Sequence, residues 1–315
     1  MRLVFAGTPD AAVSSLDALL KSRHQVAAVI TRPDAKAGRG LKVGPSPIAQ
    51  RAADAGIEIL RPTRLADEDF LGRLRQIAPD CCPVTAYGAI IPTVALDVPA
   101  RGWVNLHFSV LPSWRGAAPV QHAILHGDDV TGATTFQIVR ELDAGPVYGV
   151  LTEPIRPTDT AGDLLERLSV AGAELLVATL DGIEAGELAA REQPADGVSL
   201  APKITSADAR VDWRNPATAI DRQIRACTPE PGAWTDLDGL RVKLWPVAVA
   251  GPNAGAGTDR PLAPGELRPL RDRILAGTGT TPVQLGDVQA DGKRRMRAPD
   301  WARGLRLDGH PAVLG

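Results

Sequence analysis

Short, wholly apolar runs alternate with helix-period segments through the first hundred residues, and this narrows the fold more than any other feature. Arg2–Ala6 is an apolar run that stops at Gly7-Thr8-Pro9. Asp10 stands where a helix cap would, ahead of Val13, Leu16, Leu19 and Leu20 at three- and four-residue spacing. Val26–Ile30 reads as a second buried strand, 47–55 as a helix, 58–60 as a short strand and 70–78 as another helix. Strands without polar alternation are covered on both faces, so the pattern predicts a parallel, doubly wound α/β sheet. A dinucleotide-binding version would carry G-x-G-x-x-G at the first turn. Only Gly7 of the three glycines is present, so the expectation is a Rossmann-like sheet without an NAD site.

The reading continues with a strand over 80–85, where Pro83 is awkward because proline removes a ladder donor. A strand over 103–106 feeds a polar loop. Segments 133–139 and 147–153 pair around Asp143-Ala144-Gly145-Pro146. Thr160-Ala161-Gly162-Asp163 is a capping box for a helix to about Gly186, with Leu164, Leu165, Leu168, Leu175, Leu176 and Leu180 on its core face. Residues 187–215 read as linking sequence, and Asn215-Pro216 as N-cap and first residue of a helix. After Cys227, alternating runs such as Val242-Lys243-Leu244-Trp245 sit between Gly/Pro turns and predict a small β-barrel (OB-like) or sandwich. Gly251–Gly265 is low in complexity and reads as a mobile insertion. The predicted division is a Rossmann-like domain over 1–186, a linker over 187–207 and a β-barrel domain over 208–315.

With 315 residues, 44% of them apolar, the chain can bury two cores and is not a disordered polymer. No apolar run reaches the roughly 18 residues of a membrane span. The first residues have no long apolar stretch, so no signal peptide is expected. Three cysteines, with Cys81 and Cys82 adjacent, form neither a disulfide framework nor a zinc spacing, which fits the cytoplasm. The net charge of −2 is unevenly spread: residues 1–202 hold 18 Lys and Arg against 24 Asp and Glu, and residues 203–315 hold 17 against 13. That asymmetry suits a protein of which one domain touches nucleic acid, though chance scatter gives the same.

The segment richest in chemistry is Asn105-Leu106-His107-Phe108-Ser109-Val110-Leu111-Pro112-Ser113-Trp114-Arg115-Gly116-Ala117-Ala118-Pro119. It follows a strand and precedes a helix, where open α/β sheets bind ligands. Asn105 and His107 alternate by two, so they share a strand face. An amide donor and an imidazole there can hold an oxyanion and manage a proton. Taken alone, an Asn-x-His pair better fits a histidine that merely satisfies loop carbonyls. Asp143, before a Gly-Pro turn, is a turn-former or a partner for a nearby histidine. The loop Arg32 to Lys42, with Arg39 between two glycines, is either a phosphate clamp or a solvated loop. Gly292-Lys293-Arg294-Arg295-Met296-Arg297 is either a phosphate-contact surface or a solvated cationic face.

Five segments in order resemble the bacterial methionyl-tRNA formyltransferases over nearly the whole length. They are Leu3 to Pro9; Pro33-Asp34 through Pro45-Ser46-Pro47; Ala86-Tyr87-Gly88 through Pro92; Asn105 through Pro119; and Gly292 through Met296. The resemblance implies transfer of a formyl group from 10-formyltetrahydrofolate to methionyl initiator tRNA, by a cytoplasmic monomer that needs no metal. It assigns Asn105, His107 and Asp143 to catalysis, with Asp143 expected to favour the imidazolium form of His107. It places folate against Ala86, Tyr87, Gly88, Ile90, Ile91, Ser109, Leu111, Pro112 and Gln137. It assigns tRNA contacts to Arg39, Lys42, Lys293, Arg294 and Arg295. The chain departs from the family pattern at Val139, where a second acid is frequent, at Asp10-Ala11 in place of Glu-Phe, and at Cys81-Cys82-Pro83 in place of an aliphatic strand.

Other readings of the same residues are a formyltransferase acting on a sugar nucleotide or purine precursor, a formyltetrahydrofolate hydrolase, and an RNA-binding protein with an inactive α/β module. The C-terminal segment separates the first from the tRNA reading, water as acceptor defines the second, and loss of folate binding would mark the third.

Overall fold

The computed structural model describes residues 1–37, 42–251, 260–305 and 312–315. The chain divides into two compact units. The first comprises Met1–Pro119, Val130–Pro154 and Leu165–Pro202; the second comprises Val120–Asp129, Ile155–Leu164 and Lys203–Gly315.

In chain order the strands up to residue 201 are β1 (Arg2–Gly7), β2 (Gln25–Ile30), β3 (Ala35–Ala37), β4 (Lys42–Gly44), β5 (Glu58–Leu60), β6 (Cys82–Thr85), β7 (Trp103–His107), β8 (Arg115–Gly116), β9 (Val130–Gln137), β10 (Val147–Pro154) and β11 (Leu200–Ala201). The helices are α1 (Val13–Lys21), α2 (Pro47–Asp54), α3 (Glu68–Ile77), α4 (Thr93–Leu96), α5 (Pro119–His126) and α6 (Ala161–Ala185). Seven strands form one sheet in the order β10-β9-β7-β6-β1-β2-β5. Strands β7, β6, β1, β2 and β5 are parallel, while β9 runs antiparallel to both β7 and β10. The chain leaves β1 toward β2 and β5 and later returns to the other side of β1 through β6 and β7. The topological switch point therefore lies between the carboxyl ends of β1 and β6, the place where such sheets bind ligands.

Both faces of the sheet are covered, as the unbroken apolar strands predict. Val4, Ala6, Ala28, Ile30, Cys82 and Val84 pack one face against Phe70, Leu71 and Leu74 of α3. Leu3, Phe5, Val29 and Val104 pack the other against Leu16 and Leu19 of α1, Ile48 of α2, and Leu176 and Leu180 of α6. Each large side chain removed from water in these layers contributes about 1.5–3 kcal/mol. Trp103, fully buried, gives its indole N–H to the Ala95 carbonyl at 2.8 Å.

Several local readings need correction. Pro83 does lie in a central strand, but the β1–β6 pairing passes from Leu3↔Cys81 to Ala6↔Val84, so its missing N–H falls in a gap of that ladder. Asp10 caps nothing; it opens a 3-10 turn (Asp10–Ala12) ahead of α1 and makes no capping bond. The helix after Asn215 starts one residue later than predicted, as α7 (Ala217–Ala226), with Pro216 at its N-cap. Residues 187–207 are not free linking sequence up to residue 202: Arg191 bridges Val147, and β11 pairs in parallel with β8. The capping box of α6 is present: Thr160 Oγ1 donates to Asp163 Oδ2 at 2.6 Å and accepts from the Asp163 N–H at 3.2 Å.

The second unit continues with β12 (Trp234–Leu237), β13 (Leu240–Leu244), β14 (Ala248–Val249), β15 (Leu267–Pro269), β16 (Ile274–Ala276), β17 (Val283–Gln284), β18 (Asp287–Ala290), β19 (Met296–Arg297) and α8 (Ala298–Ala302). Its strands form two four-stranded antiparallel sheets, β12-β13-β18-β19 and β14-β17-β16-β15. They share one core, with Val242, Leu244 and Val288 from the first sheet, Ile274, Ala276 and Val283 from the second, and Ile220, Ile224 and Cys227 at α7. The low-complexity stretch of 251–265 falls largely on 252–259, outside the described residues. All three cysteines are buried, and among the described residues no helix is long and apolar enough to cross a membrane.

Gly132 shows how tightly β9 and β10 pair: a Cβ there would lie 1.9 Å from the Leu151 carbonyl oxygen. Backbone must move to admit it, so Gly132→Ala is expected to destabilise the fold by about 1–3 kcal/mol. A lowered urea midpoint with an unchanged m-value is the measurement that checks this.

Candidate active site

Three loops meet the carboxyl edge of the parallel strands. The first turn, Gly7-Thr8-Pro9, follows β1; the segment 86–91 follows β6; and the segment 108–118 follows β7. The Thr8 hydroxyl donates to the Tyr87 carbonyl at 2.8 Å and so ties the first two loops across the switch point. Ala86 (φ 47°), Trp114 (φ 62°) and Asp143 (φ 49°) adopt left-handed backbone, disfavoured for residues with a Cβ. All three lie in this edge or in the turn that serves it. Among the described residues five non-glycines take this conformation, and three of them fall here, which points to a working site.

Asn105 and His107 share a face of β7, as their alternation requires. Asn105 is half-buried, and no hydrogen bond among the described residues engages its side-chain amide. His107 ends the strand and is buried, edge-on to the ring of Phe136 with centroids 6.4 Å apart. Its Nε2 lies 2.9 Å from the Trp114 carbonyl oxygen. A carbonyl only accepts, so this nitrogen carries the proton, and in the neutral ring Nδ1 is a bare lone pair. Asp143, in the turn between β9 and β10, places Oδ2 3.7 Å from that Nδ1. The same oxygen accepts the Gly116 N–H at 2.8 Å, which orients the carboxylate.

Burial holds the His107 pKa below 6.5; the Asp143 charge and the Trp114 carbonyl pull it upward, and burial prevails. The ring therefore rests neutral. The Asp143 charge at 3.7 Å favours the imidazolium, and burial outweighs it in the resting protein.

The predicted folate residues divide by position. Ala86, Gly88 and Ile90 are exposed beside the switch point, Ile90 with 82% of its surface free. Tyr87 and Ile91 are buried beneath them. Ser109, Leu111 and Pro112 build the loop after His107: Ser109 Oγ donates to the Ser113 carbonyl at 2.6 Å, and Thr134 Oγ1 donates to the Ser109 carbonyl at 2.7 Å and accepts the Leu111 N–H at 3.2 Å. Gln137 stands apart from them. It pairs with Val104 at the amino end of β7, and its Oε1 accepts the Tyr148 hydroxyl at 2.8 Å.

Of the predicted tRNA residues, Arg39 lies outside the described residues and Lys42 opens β4. Lys293, Arg294 and Arg295 are exposed on the turn between β18 and β19, where Gly292 (φ 69°) takes the left-handed conformation. Arg295 is already engaged: its Nε meets Asp287 Oδ2 at 2.8 Å and its guanidinium lies 4.6 Å from the Trp245 ring centroid. Sequence reasoning assigned no role to Trp114 and Gly116, which act on His107 and Asp143 through their backbone, or to Gln193, whose side-chain amide holds the Asp143 carbonyl. Gln193 falls in the stretch that composition assigns to a linker.

These features define a class: a Rossmann-like α/β enzyme site with an uncommitted amide, a neutral imidazole and an aspartate at the carboxyl edge. Residues 1–180 match the formyl transferase family and residues 203–306 match the formyl transferase C-terminal domain. Methionyl-tRNA formyltransferase of Thermobifida fusca is 64% identical over 307 residues, covering 98% of this chain and 97% of that one. The protein of the same name from Saccharopolyspora erythraea is 62% identical over 309 residues, covering 98% of each. The crystal structure of HypX from Aquifex aeolicus in complex with tetrahydrofolic acid has the same fold, with a TM-score of 0.67 at 18% identity over 98% of this chain and 47% of that one. The chain belongs to the formyl transferase family.

A histidine whose folded pKa is lowered makes the protein less stable on the acid side, because the unfolded chain takes up the proton first. His107 and His24 both fall in this class, burial being the largest cause in each. Thermal stability is therefore expected to decline as pH drops below 6.5, the ordinary histidine value. NMR titration should place His107 below 6.5 in the native protein and lower again in Asp143→Asn, which removes the one nearby charge that raises it.

Proposed function

We propose that this chain transfers the formyl group of 10-formyltetrahydrofolate to the α-amino group of methionyl initiator tRNA. The neutral His107 imidazole, fixed by the Trp114 carbonyl with Nδ1 toward Asp143, is the observation that carries the mechanism. The first unit supplies the chemistry and the second binds tRNA. The identities above 60% with methionyl-tRNA formyltransferases over the full length support this acceptor. The match of a C-terminal formyl transferase domain supports it over a purine acceptor, and the full-length identities support it over a sugar acceptor.

In this reaction the amine lone pair attacks the formyl carbon, and the carbonyl π electrons move to oxygen. The carbon–nitrogen bond to folate then breaks, its electron pair stays on the folate nitrogen, and that nitrogen takes a proton. The Asn105 amide N–H is free to donate to the developing oxyanion, a contribution of about 3 kcal/mol for one donor. The proton lost by the amine passes to Nδ1 of His107. The imidazolium so formed has an acceptor on each side, the Trp114 carbonyl and the Asp143 carboxylate, so the aspartate stabilises the charged ring when it matters. The histidine then returns the proton to the leaving nitrogen. The exposed Ile90 offers apolar area to a flat ring system at the switch point, with Ala86 and Gly88 beside it. Arg39 and Lys42 serve the acceptor end, and Lys293 and Arg294 the tRNA body.

Asp143→Asn keeps the shape of the turn while removing the charge that stabilises imidazolium. Formyl transfer is expected to fall by more than about 100-fold with circular dichroism unchanged; near-normal turnover in the folded variant rejects the assignment.

Because Arg295 is paired with Asp287, the free phosphate contacts on the β18–β19 turn are Lys293 and Arg294. Neutralising these two is expected to raise the KM for tRNA and reduce the log–log salt slope by up to about two units. Measuring KM at several salt concentrations checks it, and an unchanged slope assigns both residues to a solvated face.

A further inference from the structure

Asp143 takes a left-handed backbone conformation (φ 49°), and a side chain from outside the turn holds it there. The holding group is Gln193, fifty residues later in the chain. Its Nε2 donates to the Asp143 carbonyl at 2.8 Å and to the Gly145 carbonyl at 2.9 Å. Its Oε1 accepts from Arg115 twice, at 3.1 Å from Nε and 2.6 Å from Nη2. Every polar atom of the amide is used, in the only orientation its chemistry allows: the NH₂ faces two carbonyls and the oxygen faces a guanidinium. Gln193 is held in turn between two backbone pairings, Arg191 with Val147 and β11 with β8. The next residue of β8, Gly116, gives the N–H that orients the Asp143 carboxylate at 2.8 Å. It has no room for a side chain, since a Cβ would lie 2.5 Å from the Ala201 carbonyl oxygen.

We propose that Gln193 is a positioning residue that, braced by Arg115, sets the distance of the Asp143 carboxylate from His107. The proposal rests on the reading of Asp143 as the group that stabilises protonated His107. Arg115 makes the amide oxygen a charge-assisted acceptor and so fixes which end of the amide faces the turn. The amide then clamps both carbonyls that flank Ala144, and the turn keeps its left-handed form. Without that clamp the turn relaxes, the carboxylate withdraws from Nδ1, and the histidine becomes harder to protonate. Misplacement of this order, about 1 Å, is enough to cost a large factor in rate without touching substrate binding.

The test uses the full-length enzyme with Gln193→Ala and the isosteric Gln193→Glu. Glutamate keeps the volume and the Arg115 contact but offers two carbonyls no donor, so it should not rescue. In both variants kcat is expected to fall by about tenfold or more, with the KM for tRNA and for folate within about twofold of the parent. In Gln193→Ala, which adds no charge, the acid limb of the kcat profile should move to lower pH, and NMR should show the His107 pKa shifted the same way. Unchanged kcat with an unchanged His107 titration in either folded variant overturns the proposal. A loss that follows the melting temperature while the His107 titration stays fixed also overturns it, because it marks a merely structural role. Asp143→Asn is assayed alongside. Activity retained there rejects the reading of Asp143 itself, whereas an inactive Asp143→Asn beside a normal Gln193→Ala rejects only the role of Gln193.

Discussion

The site depends on one hydrogen bond, from His107 Nε2 to the Trp114 carbonyl at 2.9 Å. It fixes the ring's tautomer and its rotation together, and so decides that Nδ1 is the nitrogen that meets Asp143. The bond exists because the loop after β7 folds back over the strand end. That fold requires left-handed backbone at Trp114, which costs about 1–2 kcal/mol. Ser109, Ser113 and the wholly buried Thr134 hold the loop closed through their own hydrogen bonds. Net gains of about 1 kcal/mol for each such bond are enough to offset the strain.

The sheet explains why the partner arrives from where it does. The parallel strands bring the first turn, 86–91 and 108–118 to one edge. The aspartate comes from the other kind of strand connection, the turn between the antiparallel β9 and β10. Close approach is what seats it: Gly145 lies against the Gln137 carbonyl, where a Cβ would come within 1.8 Å of the oxygen. A glycine two residues after the acid is thus a steric condition for the His107–Asp143 distance. The sheet's edge pairing, not a contact made by Asp143 alone, delivers the carboxylate.

Much of this was legible in the sequence. The two-residue alternation of Asn105 and His107 placed them on one face, because a strand has no other way to dispose them. The apolar strands announced a sheet covered on both sides. What was not legible depends on groups far apart in the chain. Gln193 lies in a stretch whose composition resembles linking sequence, and nothing local marks its amide as a clamp. The protonation state of His107 follows from burial, which no spacing reveals. Pro83 looked unfit for a central strand until the ladder beside it showed a gap. Asp10 and Asn215 have the right residue type for a cap, yet the backbone begins each helix further on. The basic cluster at Lys293 was visible as charge, but Asp287 and Trp245, which engage Arg295, became its neighbours only through the pairing of β18 with β19.

The cysteines carry a consequence of a different kind. Burial pushes the Cys81 thiol up to about 12, that of Cys227 up to about 11, and that of Cys82 well above its usual range. Thiolate is the reactive form, so in the folded chain none of the three is a nucleophile at neutral pH. Alkylating reagents and oxidants reach them only through opening. Cys81 and Cys82 lie in the core of the first unit and Cys227 in that of the second. Each unit therefore carries a built-in clock of its own unfolding, silent while the packing holds and started only when that packing comes apart.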